Sequence, residues 1–209
     1  MRNKTYIALD EPSTVRPSSL ESDFARTDPG LAAVVSYLSS FDRPLTQPEL
    51  TQVIAEARVS EDSVRDWIAF DDGGYRRNPI LRLPHVEMLV LCWMPGQFTP
   101  IHDHAGSTGA VRVLRGTATE ITYRRSGGSF LVPAESRDYF SGELFTSHDA
   151  HIHRVGNFSG PEDVLVTLHC YSRPLDGFHI YGGADLVYDS ALPSPPPVAP
   201  NALDIRRNA

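Results

Sequence analysis

From Tyr75 onward the chain is a series of short β-rich runs separated by glycine and proline, and this pattern restricts the fold more than any other feature. The runs span residues 88–93, 110–114, 117–123, 129–132, 140–145, 151–155 and 164–171. Several short strands at this spacing predict a closed barrel or a jelly roll of two sheets. We therefore expect a mainly β fold whose barrel covers residues 75–190.

Three short helical signals lie ahead of the strands, between residues 28 and 70. Each opens at a residue type that caps helix N-termini well, namely Asp28, Thr46 and Ser60. Because the helices precede the strands in the chain, we expect them to pack against the outside of the barrel.

The segments at the two ends of the chain carry no such periodicity. Residues 1–27 are polar and contain prolines, which predicts a flexible arm. Residues 191–209 include the run PSPPPVAP, which predicts an extended tail. The sequence thus indicates a single domain over residues 28–190.

Charge and cysteine content narrow the classes of function. The chain has 26 acidic and 19 basic residues, a net charge of −7, and no basic cluster that would follow a phosphate backbone, so we expect no nucleic-acid partner. No apolar h-region follows residues 1–4, so we expect no signal peptide, and no apolar run reaches the roughly 20 residues that a membrane helix needs. Cys92 and Cys170 stand in apolar or aromatic surroundings, which argues against a disulfide-stapled secreted domain. These features favour a cytoplasmic protein.

Three histidines form the most informative cluster of polar residues. His102 and His104 stand two residues apart between β runs, and His153 lies on a later run. In a strand, residues two apart point to the same side, so both imidazoles of the pair can enter a barrel. Taken alone, such a pair is more often a surface feature. Three imidazoles can bind Fe, Zn, Cu or Ni, so the ligand type does not select the metal.

The spacing around these histidines resembles the two sequence motifs of the cupin superfamily. The first motif reads Gly96-x5-His102-x-His104-x4-Gly109-x6-Gly116, with Gly109 in the place of the usual glutamate. The second, Gly142-x5-His148-x-Ala150-x2-His153-x3-Asn157, selects His153 over the neighbouring His151 as the third ligand. The resemblance implies a cupin-type double-stranded β-helix, a jelly-roll barrel, with the N-terminal helices packed outside. Without the glutamate, a bound divalent ion keeps its full charge and three open positions.

A three-histidine cupin site without the glutamate resembles the thiol dioxygenases, and most closely the bacterial, Arg-type members of the cysteine dioxygenase family. The resemblance covers about residues 75–181. It rests on YRRN at 75–78, LCW at 91–93, IHDH at 101–104, HRVGN at 153–157 and TLHCYSRP at 167–174.

This resemblance implies a role for each residue of the predicted site. His102, His104 and His153 would bind one Fe(II) per chain, and Arg77 would hold the substrate carboxylate, with Tyr75 and Trp93 beside it. Tyr171 would be the acid or hydrogen-bond donor, with His169 and Thr167 as its relay. Eukaryotic members cross-link the equivalent tyrosine to a cysteine, whereas Gly109 leaves no sulfur here. Read without the family, Arg77 is a surface arginine, and Tyr171 and Trp93 are core aromatic residues.

The function implied is the oxidation of L-cysteine by O2 to cysteine sulfinic acid, with both oxygen atoms added to the sulfur. The family's mercaptopropionate dioxygenases usually carry glutamine in place of Arg77, so Arg77 favours cysteine over 3-mercaptopropionate or another small thiol. A non-catalytic metal-binding cupin and a metal-dependent isomerase or decarboxylase remain alternatives. We expect a monomer or a weak homo-oligomer.

Overall fold

The computed structural model describes residues 5–8, 28–126 and 130–182. Its helices precede the barrel, with α1 at Pro29–Ser39, α2 at Gln47–Glu56 and a 3-10 helix at Asp62–Trp67. Within these ranges, no helix has the length and apolar character needed to cross a membrane.

Hydrogen bonds confirm the predicted starts of α1 and α2, whereas the third segment is a 3-10 helix with Glu61, and not Ser60, at its N-cap. The Asp28 carboxylate accepts from the backbone N–H of Gly30 at 2.8 Å, at the start of α1. At α2 the carboxylate of Glu49 accepts from the backbone N–H of Thr46 at 2.8 Å, which satisfies a donor that the helix leaves unpaired. Ser60 accepts from the N–H of Ser63 at 3.3 Å, ahead of the 3-10 helix.

The strands form two antiparallel sheets. The six-stranded sheet has the order β1-β11-β4-β9-β6-β7, and the five-stranded sheet has the order β2-β3-β10-β5-β8. The strands are β1 Thr5–Ala8, β2 Arg76–Leu83, β3 Val86–Trp93, β4 Ile101–His102, β5 Thr108–Arg115, β6 Thr117–Ser126, β7 Phe130–Phe140, β8 Leu144–Ser147, β9 Ile152–Gly156, β10 Leu165–Ser172 and β11 Gly177–Tyr181. The prediction of a mainly β jelly roll with helices outside is therefore confirmed.

The five-stranded sheet is covered on both faces, which explains why β3 and β10 are buried throughout. Its outer face packs against the helices, where Leu31, Leu50 and Ile54 join Cys170 in one apolar cluster. Its inner face packs against the six-stranded sheet, where Leu89 joins residues of both sheets in a second cluster. Alternation along β10 thus directs Cys170 towards the helices and its neighbours His169 and Tyr171 into the barrel.

After Tyr75 the structure differs from the strand prediction at residues 140–145 and contains three strands that the sequence did not predict. Residues 140–145 do not form one strand, because a turn at residues 141–143, with Gly142 at a φ of +93°, separates β7 from β8. The strands β2, β4 and β11 were not predicted. Pro79 masks β2 in the sequence, and β2 is an edge strand, where a proline costs no ladder hydrogen bond.

The prediction of a flexible N-terminal arm is wrong for Thr5–Ala8. These residues form β1, which pairs with β11 from Thr5 opposite Ile180 to Ala8 opposite Gly177. The pairing satisfies the backbone groups on the free edge of β11. The rest of the predicted arm and the tail at 191–209 lie outside the described residues.

Candidate metal centre

The three predicted ligands converge inside the barrel. His102 ends β4 and lies directly opposite His153 of β9 in the ladder, and His104 follows in the loop after β4. The ligand atoms of the three rings lie within 4.8 Å of one another. All three residues are buried. One divalent ion can therefore contact the three rings together.

The hydrogen bonds of two ligands determine which ring nitrogen is available. Nδ1 of His102 lies 3.0 Å from the carbonyl oxygen of Pro100, and Nδ1 of His153 lies 2.6 Å from Oε1 of Glu120. A carbonyl can only accept a hydrogen bond, so Nδ1 of His102 carries the proton, and an ionised carboxylate imposes the same tautomer on His153. Both rings thus present the lone pair of Nε2, which is the donor that a transition metal needs.

His104 has a different set of contacts. Its Nε2 lies 3.2 Å from the hydroxyl oxygen of Ser147, and among the described residues its buried Nδ1 has no hydrogen-bond partner. A buried polar nitrogen without a partner is costly, and a metal ion would remove that cost. The donor set therefore fits a metal centre.

Burial keeps the three imidazoles neutral. It lowers the pKa of His102 to about 4, and burial and the neighbouring histidines hold the pKa values of His104 and His153 well below their usual range. Neutral rings are competent metal ligands at neutral pH, whereas protonated ones are not.

Gly109 leaves no room for the glutamate of the first cupin motif. An added Cβ would lie 2.7 Å from Oγ of Ser147 and 3.0 Å from Cε1 of Tyr171. Both neighbours face Gly109 across the strands on either side of it. The candidate centre thus offers three neutral nitrogen donors, and the tyrosine ring takes the space that a fourth ligand from position 109 would need.

A chain of hydrogen bonds runs along the inner face of β10 beside the centre. The hydroxyl oxygen of Tyr171 lies 2.9 Å from Nδ1 of His169, and Nε2 of His169 lies 2.9 Å from Oγ1 of Thr167. The indole N–H of Trp93 donates to the same Oγ1 at 2.9 Å. Burial lowers the pKa of His169 to about 3 and raises that of Tyr171, so both groups are neutral at neutral pH.

The remaining predicted residues line the same pocket. Arg77 lies on β2, and the Tyr75 ring just before β2 stacks on Trp93 with 4.4 Å between ring centroids. Arg77, Tyr75, Trp93, Tyr171, His169 and the three histidine ligands all line one pocket, with apolar walls from Leu91, Val111, Val155, Leu175 and Phe178. The structure thus brings every residue of the predicted site together.

Arg77 also has an acidic neighbour that the sequence did not reveal. Its Nη2 lies 3.7 Å from Oε2 of Glu87, a buried carboxylate at the start of β3. Oε1 of Glu87 accepts from Nη1 of Arg82 at 3.0 Å, and Oε2 accepts from the backbone N–H of Leu175 at 3.3 Å. The predicted strand began after Glu87, which hid its position on the inner face.

Glu120 is the second residue that sequence reasoning missed. It lies on β6 and is buried, and its neighbours Thr119 and Ile121 are more exposed. The alternation of the predicted run 117–123 did not reveal this, because the large apolar residues Ile121 and Tyr123 lie on the face opposite to Glu120. His151, considered as a rival ligand, forms a second possible set with Glu120 and His153.

Comparison with known proteins identifies relatives of this chain. The sequence profile of the family described as cysteine dioxygenase type I matches residues 21–183. Human cysteine dioxygenase type 1 is 29% identical over 140 residues, which span 64% of this chain and 68% of the human protein. The protein of the same name from Rattus norvegicus is 27% identical over the same shares of the two chains.

The solved structures that this chain resembles share less sequence identity with it than these relatives do. A conserved protein with a double-stranded beta-helix domain from Klebsiella pneumoniae has a TM-score of 0.47 and 18% identity, over 61% of this chain and 94% of that chain. An oxalate oxidase has a TM-score of 0.43 and 18% identity, over 56% of this chain and 62% of that chain.

Proposed function

This chain belongs to the cysteine dioxygenase type I family, and we propose that it is an iron(II)-dependent thiol dioxygenase that converts L-cysteine and O2 to cysteine sulfinic acid. The observation that carries the proposal is the set of three buried, neutral imidazoles facing a pocket that also contains Arg77 and Tyr171. Fe(II) held by His102, His104 and His153 would supply the thiolate binding and the oxygen chemistry.

The missing anionic ligand suits a substrate that brings its own negative charge. A thiol becomes a thiolate most readily beside a cation that is not already neutralised by a carboxylate. A glutamate at position 109 could not enter the ligand set, because Ser147 and Tyr171 occupy the space that its side chain would need. The centre therefore favours an anionic sulfur over a neutral ligand.

Arg77 is suited to the carboxylate of an amino-acid thiol. Its guanidinium offers a planar pair of N–H donors that matches the two oxygens of a carboxylate. The stacked rings of Tyr75 and Trp93 line the same pocket as Arg77. Holding the carboxylate there would fix the position of the sulfur and orient it for reaction.

The chain of hydroxyl and imidazole groups allows two proton arrangements on Tyr171. In one, the tyrosine O–H donates to Nδ1 of His169, and Nε2–H of His169 donates to Thr167. In the other, Thr167 donates to Nε2, Nδ1–H donates to the tyrosine oxygen, and the tyrosine proton is free to point into the pocket. Both arrangements fit the 2.9 Å distances. Tyr171 would thus act as a hydrogen-bond donor or proton source in the second arrangement.

The proposal is tested by metal analysis and oxygen consumption of the purified full-length chain. We expect one iron per chain and one O2 consumed per cysteine, with cysteine sulfinic acid as the product. Faster turnover of 3-mercaptopropionate than of cysteine would identify the other small-thiol activity. An iron-loaded protein that oxidises neither thiol would contradict the proposal and leave a metal-binding cupin of another function.

Replacement of Arg77 by glutamine tests how the substrate is held. Loss of a charge-assisted hydrogen bond costs about 1.5–3 kcal/mol, so we expect KM for cysteine to rise roughly 10- to 100-fold. Turnover of cysteamine, which has the same thiol and amine without the carboxylate, should be unaffected. An equal effect on both thiols would show that Arg77 supports the pocket and does not bind the carboxylate.

A further inference from the structure

The three histidine ligands differ in what holds the nitrogen that faces away from the centre. His102 has a neutral partner, the carbonyl of Pro100, at 3.0 Å. His104 also has a neutral partner, the hydroxyl of Ser147, whose oxygen lies 3.2 Å from Nε2. Within the described ranges, His153 alone of the three contacts a carboxylate, with Nδ1 at 2.6 Å from Oε1 of Glu120. The centre is therefore asymmetric in charge, although its three ligands are chemically identical.

The fold holds Glu120 firmly in this position. It lies on β6 opposite Val155 in the ladder between β6 and β9, and its neighbour Thr122 lies opposite His153. Glu120 is 5% exposed, and its second oxygen accepts from the hydroxyl of Tyr139 at 3.3 Å. A buried carboxylate with two directed hydrogen bonds cannot turn away without leaving its charge unpaired.

We propose that Glu120 is a positioning residue of the metal centre, which holds His153 with Nε2 towards a divalent ion and supplies negative charge through the imidazole. A carboxylate that accepts from the outer N–H of a metal-binding histidine fixes its tautomer and orientation and makes it a stronger donor. The ligand set lacks the negative charge of the cupin glutamate, which Gly109 replaces. Glu120 supplies a negative charge behind the imidazole ring of His153 instead. The inference concerns metal binding and does not depend on which thiol is oxidised.

His151 offers a competing explanation of the same carboxylate. The ligand atoms of Glu120, His151 and His153 also lie within 4.8 Å of one another, so this set could hold a second ion. That ion would have to share His153 with the inner centre and take its Nδ1, which the 2.6 Å contact with Glu120 already occupies. We therefore assign the carboxylate to His153, and the metal stoichiometry distinguishes the two explanations.

The test is the affinity for Co(II) or Zn(II), measured by competition with a chelator in the full chain. Glu120→Gln preserves the size of the side chain and its acceptor oxygen and removes the charge. We expect Kd to rise about 10- to 100-fold at a stoichiometry of one ion per chain. The Co(II) absorption bands should shift as well, because the donor strength of His153 changes. Glu120→Asp keeps the charge at a shorter reach and should give a smaller loss.

Tyr139→Phe is the matched control, because it removes the other hydrogen bond of Glu120 and leaves the contact with His153. It should bind the metal with nearly unchanged affinity. Unfolding of the metal-free variants by urea establishes that any loss of affinity is not a loss of folding. Unchanged affinity and spectrum in Glu120→Gln would overturn the inference, and so would two ions per chain in the parent protein. A parent protein that binds no divalent ion would overturn the metal centre itself.

Discussion

Gly109 is the position at which a single added methyl group should most directly disturb the site. The Cβ of Gly109→Ala would lie 2.7 Å from Oγ of Ser147, 3.0 Å from Cε1 of Tyr171 and 3.2 Å from its Cδ1. Neither neighbour can withdraw freely, since both are buried on the strands that flank β5. Overpacking of this kind costs about 1–3 kcal/mol.

Part of that cost is offset in the unfolded state. Alanine restricts the unfolded chain more than glycine does, which stabilises the folded state by about 0.4–1 kcal/mol. We therefore expect Gly109→Ala to lower the free energy of unfolding by about 1–2 kcal/mol, measured by urea titration of the metal-free protein. The rate of thiol oxidation should fall by more than any loss of folded protein explains, because displacement of the Tyr171 ring moves its hydroxyl in the pocket. Gly74→Ala is the control, since an added Cβ there meets nothing within 4 Å.

The double variant Gly109→Ala with Ser147→Ala separates the two contacts. It removes the 2.7 Å contact with Oγ and leaves the 3.0 Å contact with the tyrosine ring. Stability should therefore recover in part, while activity stays low. If Gly109→Ala is as stable and as active as the parent protein, the packing argument for the missing glutamate is wrong. Full recovery of activity in the double variant would show that Ser147, and not Tyr171, is the sensitive neighbour.

Three further predictions concern the hydroxyl, the metal and the histidines. Tyr171→Phe should keep cysteine binding and lower kcat roughly 100-fold or more, as expected for loss of a positioned proton donor, and oxygen consumption with product analysis checks this. Added Co(II) should raise Tm of the metal-free protein, because an ion that binds only the folded state stabilises it, and His102→Ala should abolish that rise in a thermal melt. Burial holds the pKa of His102 at about 4 and that of His169 at about 3 in the folded protein. An unfolded histidine has a pKa of about 6.5, so the unfolded state takes up protons first as the pH falls. The free energy of unfolding of the metal-free protein should thus fall from about pH 6.5 towards pH 4, by up to about 1.4 kcal/mol per pH unit for each histidine. Urea titrations at about pH 7.5 and about pH 5 that give equal free energies would contradict this account.

Local signals in the sequence predict the helices well and the strands in part. Asp28 and Thr46 form the hydrogen bonds that their cap positions predict, since a cap involves residues only a few positions apart. Strand pairing involves distant residues, which no short window contains. Pro79 made residues 76–83 an unfavourable strand by local criteria, although they pair with β3. The two-residue β4 is a strand only because β9 and β11 pair with it.

The site shows the same division between local and distant information. His102, His104 and His153 could be predicted as ligands from their spacing, because all three belong to sequence motifs. Glu120 and Glu87 belong to no motif, and each acquires its role from a partner on another strand, His153 at 2.6 Å and Arg77 at 3.7 Å. Buried carboxylates on inward strand positions are thus residues that a motif search omits and that only the pairing of distant strands reveals.

The two sheets contribute different groups of residues to the site. The six-stranded sheet carries His102 and His153, the proposed metal ligands, together with Glu120, and the five-stranded sheet carries Arg77 and the Tyr171 chain, which would meet the substrate. The pocket lies between the sheets, so each group reaches the reacting atoms from its own side. A change in Arg77 can therefore alter the preferred thiol without moving a metal ligand. Glu120 lies on the metal side, and its replacement should change metal binding while the preference between cysteine and cysteamine stays the same.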